Sequence, residues 1–345
     1  MAIEIKGDSV TLSKECFEGQ DFSYYGRMKG DVLELSLVEA AFLIERERLD
    51  LGITLKEFFK VASTIQPYLD LKYVVYKDLR ERGYYVKPSV TDFRLYPRGG
   101  RPGEGPASAY VYVLSERISL PFMELVKKVK LTQKVRKKML LAVVDEESDL
   151  TFYAAKTAHM QGKMPPLALD LSEADATLLD DRVVIWDGHH AVQLYRGGFY
   201  GKLVDGKMLQ LSLLECAYLM QLGLPVEDGA TNRRFTTLQF IQRAEVIEPE
   251  FAMKLDVYTD LRDRGFVVKT GFKFGSHFRA YEQIEDVDRI PHSKYLVHAL
   301  PKDFIVMLPE MSRAIRLAHG VRKRMIFAYK EKKALEYLDI GRAKP

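Results

Sequence analysis

Cysteine is nearly absent from this 345-residue chain: Cys16 and Cys216 stand far apart. Two such positions make neither a disulfide framework nor a paired-cysteine metal motif, and they fit a reducing compartment. No run of about 18 apolar residues exists, which excludes a membrane-spanning helix. The N-terminal MAIEIKGDSV is polar and lacks the apolar core of a secretion signal, so a cytoplasmic location is expected. Clustered carboxylates of the kind a metal-dependent DNA nuclease needs are also missing. The nearest such string is IEIK at the N-terminus. The glycine-bearing GFKFG is not followed by GK[ST], which argues against a nucleotide-binding loop. Charge bias is small, at a net +4, so any nucleic-acid partner must be read from where the charges lie. What is present is 47% apolar and 29% charged, the composition of an ordinary globular chain long enough for two or more domains.

Taken in order, the chain opens with short strands. SYYGRMKGDVLELS carries glycine turn signals between alternating apolar residues, as a hairpin does. VEAAFLIERERL is helical, with Ser36 as N-cap and Glu39 three residues on. Helices follow at LKEFFKVASTI and at LKYVVYKDLRERG, the latter closed by Gly83. Strands YYVKPSV and FRLYP precede RGGRPGEGPAS, a loop by composition. AYVYVLS reads as a buried strand, residues 121–141 as an amphipathic helix, and LLAVVDEESDLTFYAA as strand, acidic turn and strand. After Pro165 and Pro166 the order begins again. VVIWDGHHAVQLY and KLVDGKMLQLS read as strands with Asp-Gly turns, which puts His189 and His190 in an exposed turn rather than in a metal site.

The two halves align. GDVLELSLVEAAFL matches GKMLQLSLLECAYL, and YVVYKDLRERGYYVK matches LDVYTDLRDRGFVVK. Further on, TDFRLY matches SHFRAY and VRKKMLLA matches VRKRMIFA. Tyr96 thereby falls on Tyr281 and Lys137 on Lys323. The expected fold is α+β: a tandem duplication of a unit with a helical and small-β front part and a mixed α/β, nuclease-like back part. The expected segments are 1–70, 71–165, 166–252 and 253–345. The copies differ where chemistry would sit. PASAYVYV aligns with PHSKYLVH, which puts Ala107 at the place of His292, and GFKFG has no glycine counterpart in SVTDF.

Tyr281, His292 and Lys323 together are the parts for cutting RNA without a metal. The reaction needs a group that removes the 2′-hydroxyl proton, one that protonates the departing 5′-oxygen, and a fixed cation for the phosphate. Singly, each has a plainer reading: a strand tyrosine, a loop histidine, a lysine on a solvated helix face. A helical reading of the last basic segment puts Met311, Ile315, Ala318, Val321 and Met325 on one stripe. It puts Arg316 and Lys323 on another, roughly 10 Å apart along the axis.

These motifs resemble the archaeal tRNA-splicing endonuclease family, in its two-repeat homodimeric form. The likeness is carried by YTDLRDRGFVVKTGFKFGSHFRAY, PHSKYLV and RAIRLAHGVRKRM, and the duplication extends it over nearly the whole chain. The resemblance implies a tRNA-intron lyase that cuts precursor tRNA in bulge–helix–bulge elements and leaves 2′,3′-cyclic phosphate and 5′-hydroxyl ends. It implies no cofactor, no metal and no membrane partner. By position, Tyr281 is the general base, His292 the general acid and Lys323 the phosphate cation. Histidine changes charge near neutral pH. A free tyrosine titrates near 10, so the base role needs neighbouring cations. The family clamps a bulge base between two arginines. Arg316 matches the first; Asp339 stands where the second is expected, and Arg342 replaces it if the register shifts. Asp145, Glu146, Glu147 and Asp149 stand where the second copy has Lys330, Lys332 and Lys333. The resemblance implies that this acidic turn enters a basic cleft of the other subunit. Two other readings stay open: a non-catalytic RNA-binding or structural subunit of such an enzyme, and a metal-dependent DNA nuclease.

Overall fold

The computed structural model describes residues 3–17 and 22–345. The first copy runs β1 (Ile3–Lys6), β2 (Ser9–Ser13), α1 (Lys14–Phe17), β3 (Arg27–Lys29), β4 (Val32–Ser36), α2 (Leu37–Glu45), α3 (Leu55–Ile65) and α4 (Leu69–Glu81). It continues with β5 (Val86–Ser89), β6 (Asp92–Leu95), β7 (Ala109–Ser115), β8 (Ser119–Pro121), α5 (Phe122–Lys134), β9 (Lys138–Val144) and β10 (Leu150–Thr157). The second copy runs β11 (Ala176–Leu178), β12 (Val183–Ile185), α6 (Gly188–Gly198), β13 (Lys202–Val204), β14 (Met208–Leu211), α7 (Leu213–Gln221), β15 (Val226–Asp228), α8 (Thr237–Ile247) and α9 (Phe251–Asp263). Its back part is β16 (Val267–Thr270), a 3-10 turn at Phe272–Phe274, β17 (Phe278–Tyr281), β18 (Tyr295–Ala299), β19 (Ile305–Met307), α10 (Leu308–Gly320), β20 (Arg324–Glu331) and β21 (Ala334–Ala343). Apart from β15 and the 3-10 turn, the element order repeats, so the fold is a duplicated α+β unit.

Two compact units result, one of Met1–Lys156, Ile305–Ser312 and Gly341–Pro345, the other of Thr157–Phe304 and Arg313–Ile340. In the first, β1-β2-β4-β3 form a small sheet and β5-β6-β7-β9-β10 follow one another in the back sheet. In the second, the small sheet is β13-β14-β12-β11-β15 and the back strands run β16-β17-β18-β20-β21. The centre of each back sheet is a parallel pair, β7 with β9 and β18 with β20. Parallel strands covered on both faces read as unbroken apolar runs, which is why MLLAVV and MIFAY are buried throughout.

Local chemistry sets the helix starts. Ser36 with Glu39, Thr54 with Glu57, Ser212 with Glu215 and Thr236 with Gln239 all close capping boxes. Gly83 (φ +84°) and Gly265 (φ +80°) take the left-handed position after α4 and α9. Helices α2 and α7 are apolar nearly all round and lie inside the core of their own copy. Glu39 is buried there: it accepts from the Gly26 and Ser36 N–H groups at 3.0 and 3.1 Å and faces Lys87 at 3.5 Å. Glu215 repeats the device with Gly201 (2.9 Å), Ser212 (3.0 Å) and Lys269 (3.5 Å).

Three sequence-based expectations change. The helix expected over 121–141 ends at Lys134, and its counterpart ends at Gly320, because a left-handed arginine follows each: Arg136 at φ +56° and Arg322 at φ +56°. Both ends are Schellman motifs: Lys137 N donates to Thr132 O at 3.1 Å, and Lys323 N to Ala318 O at 2.8 Å. Met311, Ile315 and Ala318 are buried as expected. Val321 lies beyond the helix, Met325 belongs to β20, and Lys323 shares no helical face with Arg316. The third change is at DGHH, which opens α6 rather than turning a hairpin. Asp187 is its N-cap, accepting from the His189 and His190 N–H groups at 3.0 and 3.1 Å.

Candidate active site

Three neighbouring strands of the second unit assemble the site. β17 runs antiparallel to β18, with Ala280 opposite Tyr295, and β18 runs parallel to β20, with Tyr295 opposite Arg324. The end of β17 and the starts of β18 and β20 therefore share one edge of the sheet. Tyr281 is the last residue of β17, His292 and Ser293 lead into β18, and Lys323 leads into β20. Strand pairing thus brings to one edge the ends of three segments that the sequence keeps apart.

Lys323 is the most constrained of the three. The Schellman turn fixes its backbone, the residue is 9% exposed, and its Nζ donates to the Ser293 carbonyl at 2.9 Å. That bond ties it to the residue beside His292. Burial, and then the Arg279 charge, hold its pKa below the ordinary lysine value. Burial also lowers Lys269, but there Glu215 supports the charge. Nothing comparable offsets the shift of Lys323 among the described residues. A cation destabilised by burial and by a like charge gains most from an arriving anion.

Tyr281 is 4% exposed, its ring packed with Phe199, Val267 and Ile284. Arg279, two residues earlier on the same strand face, holds its guanidinium carbon 5.9 Å from that ring centre. It also donates to Thr270 O at 2.8 Å and lies 5.8 Å from the Phe274 ring. Lys323 Nζ lies 5.5 Å from the same ring. His292 is exposed on the loop between β17 and β18. Glu282 staples the base of that loop, accepting from Lys294 Nζ at 2.7 Å and the Tyr295 hydroxyl at 2.9 Å.

The sequence reading missed Arg279, Phe274 and the Ser293 carbonyl. The signal for Arg279 was there: in FRAY it sits two residues before Tyr281, and a strand places such a pair on one face. The Ser293 bond had no sequence signal, because it depends on which strands pair.

Arg316 is exposed on α10 and Arg342 is exposed near the end of β21. Asp339 pairs with Arg324. The acidic turn joins β9 to β10. Its Asp145 carboxylate accepts from the N–H groups of Glu147 (3.0 Å) and Asp149 (2.8 Å), and Glu146 pairs with Arg117 at 2.6 Å. Lys330, Lys332 and Lys333 lie at the corresponding β20–β21 turn, Lys330 pairing with Asp256 at 2.9 Å. Among the described residues no group of three or more histidine, cysteine, aspartate or glutamate side chains could hold a metal ion. Nor is any helix among them long and apolar enough to cross a membrane.

A cleft of about 680 Å³ in the same unit is lined by Glu215, Lys269, Phe272 and His277, and by none of Tyr281, His292 or Lys323. His277 stacks on His298 at 4.2 Å between ring centres and accepts from the Ala299 N–H at 3.0 Å. Burial first, then His298 and Lys254, push its pKa down to about 3.

The strand registers correct the internal comparison by one residue. Ala109 is opposite Lys138 as Tyr295 is opposite Arg324, so Ala109 occupies the place of Tyr295. Counted back from the strand, Pro106 rather than Ala107 falls at His292. In the same register Asp92 replaces His277: it accepts from the Val113 N–H at 2.9 Å and pairs with Lys72 at 3.1 Å.

Residues 69–152 and 251–337 each match the family model of the tRNA intron endonuclease catalytic C-terminal domain. Residues 1–61 and 174–226 match that of the tRNA intron endonuclease N-terminal domain. A tRNA-splicing endonuclease from Methanococcoides burtonii is 49% identical over all of both chains. The protein of that name from Methanosarcina acetivorans is also 49% identical, again over all of both chains. That from Halobacterium salinarum is 33% identical over 99% of each.

Proposed function

This chain belongs to the tRNA intron endonuclease family, and from that premise we propose that it excises introns from precursor tRNA. The cut falls in bulge–helix–bulge elements and leaves a 2′,3′-cyclic phosphate and a 5′-hydroxyl, without a metal. Tyr281, as phenolate, takes the proton of the 2′-hydroxyl, whose oxygen attacks the phosphorus. The P–O5′ bond breaks and the departing oxygen takes a proton from His292. Lys323 holds the charge that gathers on the phosphate oxygens. Arg316 and Arg342 contact the bulge.

The observation that supports this most is Lys323, a buried lysine whose lowered pKa no carboxylate restores, bonded to the residue beside His292. A lysine kept only for the fold would be expected to resemble Lys269, with its carboxylate partner. The working form is a cytoplasmic homodimer in which the turn of Asp145, Glu146, Glu147 and Asp149 docks on the partner.

The test is cleavage of an end-labelled bulge–helix–bulge RNA in EDTA, with product ends analysed. Cyclic-phosphate ends in both bulges are expected, and His292→Ala should lower the rate by about 10²- to 10⁴-fold with binding retained. Cutting that returns only with added metal would overturn the mechanism. Tight binding without cutting would move the protein to the structural-subunit reading. Light scattering at low micromolar concentration should give twice the chain mass; a monomer counts against the docking turn.

A further inference from the structure

The β16–β17 connection distinguishes the two copies close to the site. Ser89 and Asp92 are joined by Val90 and Thr91, whereas their register counterparts Gly271 and His277 are joined by the five residues Phe272 to Ser276. The longer connection is closed tightly. A Cβ on Gly271 would meet Ser276 Oγ at 2.3 Å and Ser276 O at 2.7 Å, so only glycine fits there. Phe272 N donates to Thr270 Oγ1 at 3.3 Å, and Gly275 takes φ +61°.

A 3-10 turn has three residues per revolution, so side chains two apart point about 120° from each other. Phe274 points to the cations, 5.5 Å from Lys323 Nζ and 5.8 Å from the Arg279 guanidinium. Phe272 is left pointing outward, 86% exposed, with the exposed Lys273 beside it. Phe272 and Phe274 stand two residues apart on the turn, about 4 Å along its axis. The first copy has the exposed Val90 at this connection and no aromatic residue.

We propose that Phe272 is a stacking platform for an unpaired nucleobase next to the scissile phosphate, with Lys273 beside it for the adjoining backbone. An aromatic ring 86% exposed at the rim of the cleft, on a turn whose Phe274 lies beside two cations, fits a ligand that is flat, apolar-faced and anionic. An unpaired nucleotide is such a ligand. Phe272 would choose which nucleotide sits at the cut and take no proton. The proposal rests on the endonuclease reading above.

The experiment compares wild type, Phe272→Ala and Phe272→Trp as full chains on one bulge–helix–bulge RNA, with 5-iodouridine placed in turn at each bulge position. Phe272→Ala should weaken binding by about 5- to 100-fold, the range expected for one stacked base. Phe272→Trp should restore binding, and the melting temperature should hardly move, since the ring is 86% exposed. Photocrosslinks should map to Phe272 from one bulge position and vanish in Phe272→Ala. If wild type cuts this RNA and Phe272→Ala binds and cuts it equally well, the stacking role is wrong and the endonuclease reading stands. If wild type neither binds nor cuts it, both fall. A change of mass in solution with unchanged RNA affinity would assign Phe272 to a protein partner and overturn the proposal.

Discussion

The two copies share the devices that hold each frame together and differ in the connections around Lys323. Both bury a carboxylate under a capping box, Glu39 and Glu215, and both face it with a lysine from the first strand of the back sheet. Both end the basic helix in a Schellman motif with a left-handed arginine and a lysine after it. Lys137 and Lys323 are thus put in the same place by the same turn, and a shared lysine by itself argues for little. Their surroundings differ. Lys137 is half-buried, while Lys323 is buried against Arg279, Phe274 and the Ser293 carbonyl. Around it the second copy has His292 in place of Pro106 and a longer β16–β17 connection. Duplication keeps the frame, and specialisation shows in what the frame's loops bring to one edge.

The largest test of this comparison is the lysine pair. Lys323→Ala should cut the cleavage rate by about 10²- to 10³-fold, as loss of a transition-state charge partner does. Lys137→Ala should leave it unchanged; equal losses would mean the two turns serve the fold alone. In the proposed role Lys323 acts as a cation, so its contribution should be present at lower pH and fade as pH rises. Since the Lys323 pKa is lowered, the loss should set in below the ordinary value of 10.5. A pH–rate profile, with Arg279→Gln shifting that limb upward, checks the cause.

Next come the buried carboxylates. Glu39→Ala and Glu215→Ala each strand a largely buried lysine and leave backbone donors unpaired. Each should cost about 3 kcal/mol in denaturant unfolding. Similar values would confirm an equivalent frame, and a difference above about 2 kcal/mol would break the equivalence.

The smallest effect is at His277, with its pKa near 3 in the fold against an ordinary 6.5. The unfolded chain then binds more protons between those values, so stability falls as pH drops from 6.5 toward 3. The loss at pH 5 should be about 1 kcal/mol, because the ring keeps some contact with water. His277→Asp copies Asp92 of the first repeat and should flatten the decline in melting temperature between pH 7 and pH 5. An unchanged slope would place the acid sensitivity elsewhere.

The Ser36–Glu39 capping box, the Gly83 cap after α4, the buried strand AYVYVLS and the duplication were legible in the sequence, because each is a pattern of residue types along the chain. Helix ends were less so. The helix expected to run to 141 stops at Lys134, where Arg136 takes the left-handed turn that Arg322 takes after Gly320. Asp187-Gly188 was equally ambiguous, since an aspartate caps a helix with the same carboxylate that it uses in a turn. The spacing of the buried Ala191 and Leu194 is what favours the helix.

By itself, then, the sequence determined the repeat, the family and the residue types that could cut RNA, because these are matters of order and identity along one line. Tertiary structure decided that the end of β17 and the starts of β18 and β20 meet. It also decided that Lys323 reaches the Ser293 carbonyl, that Pro106 is the partner of His292, and that Phe274 turns inward while Phe272 turns out. Those outcomes depend on strand pairing and on the sense of a single turn, each set by long-range packing that no local pattern records.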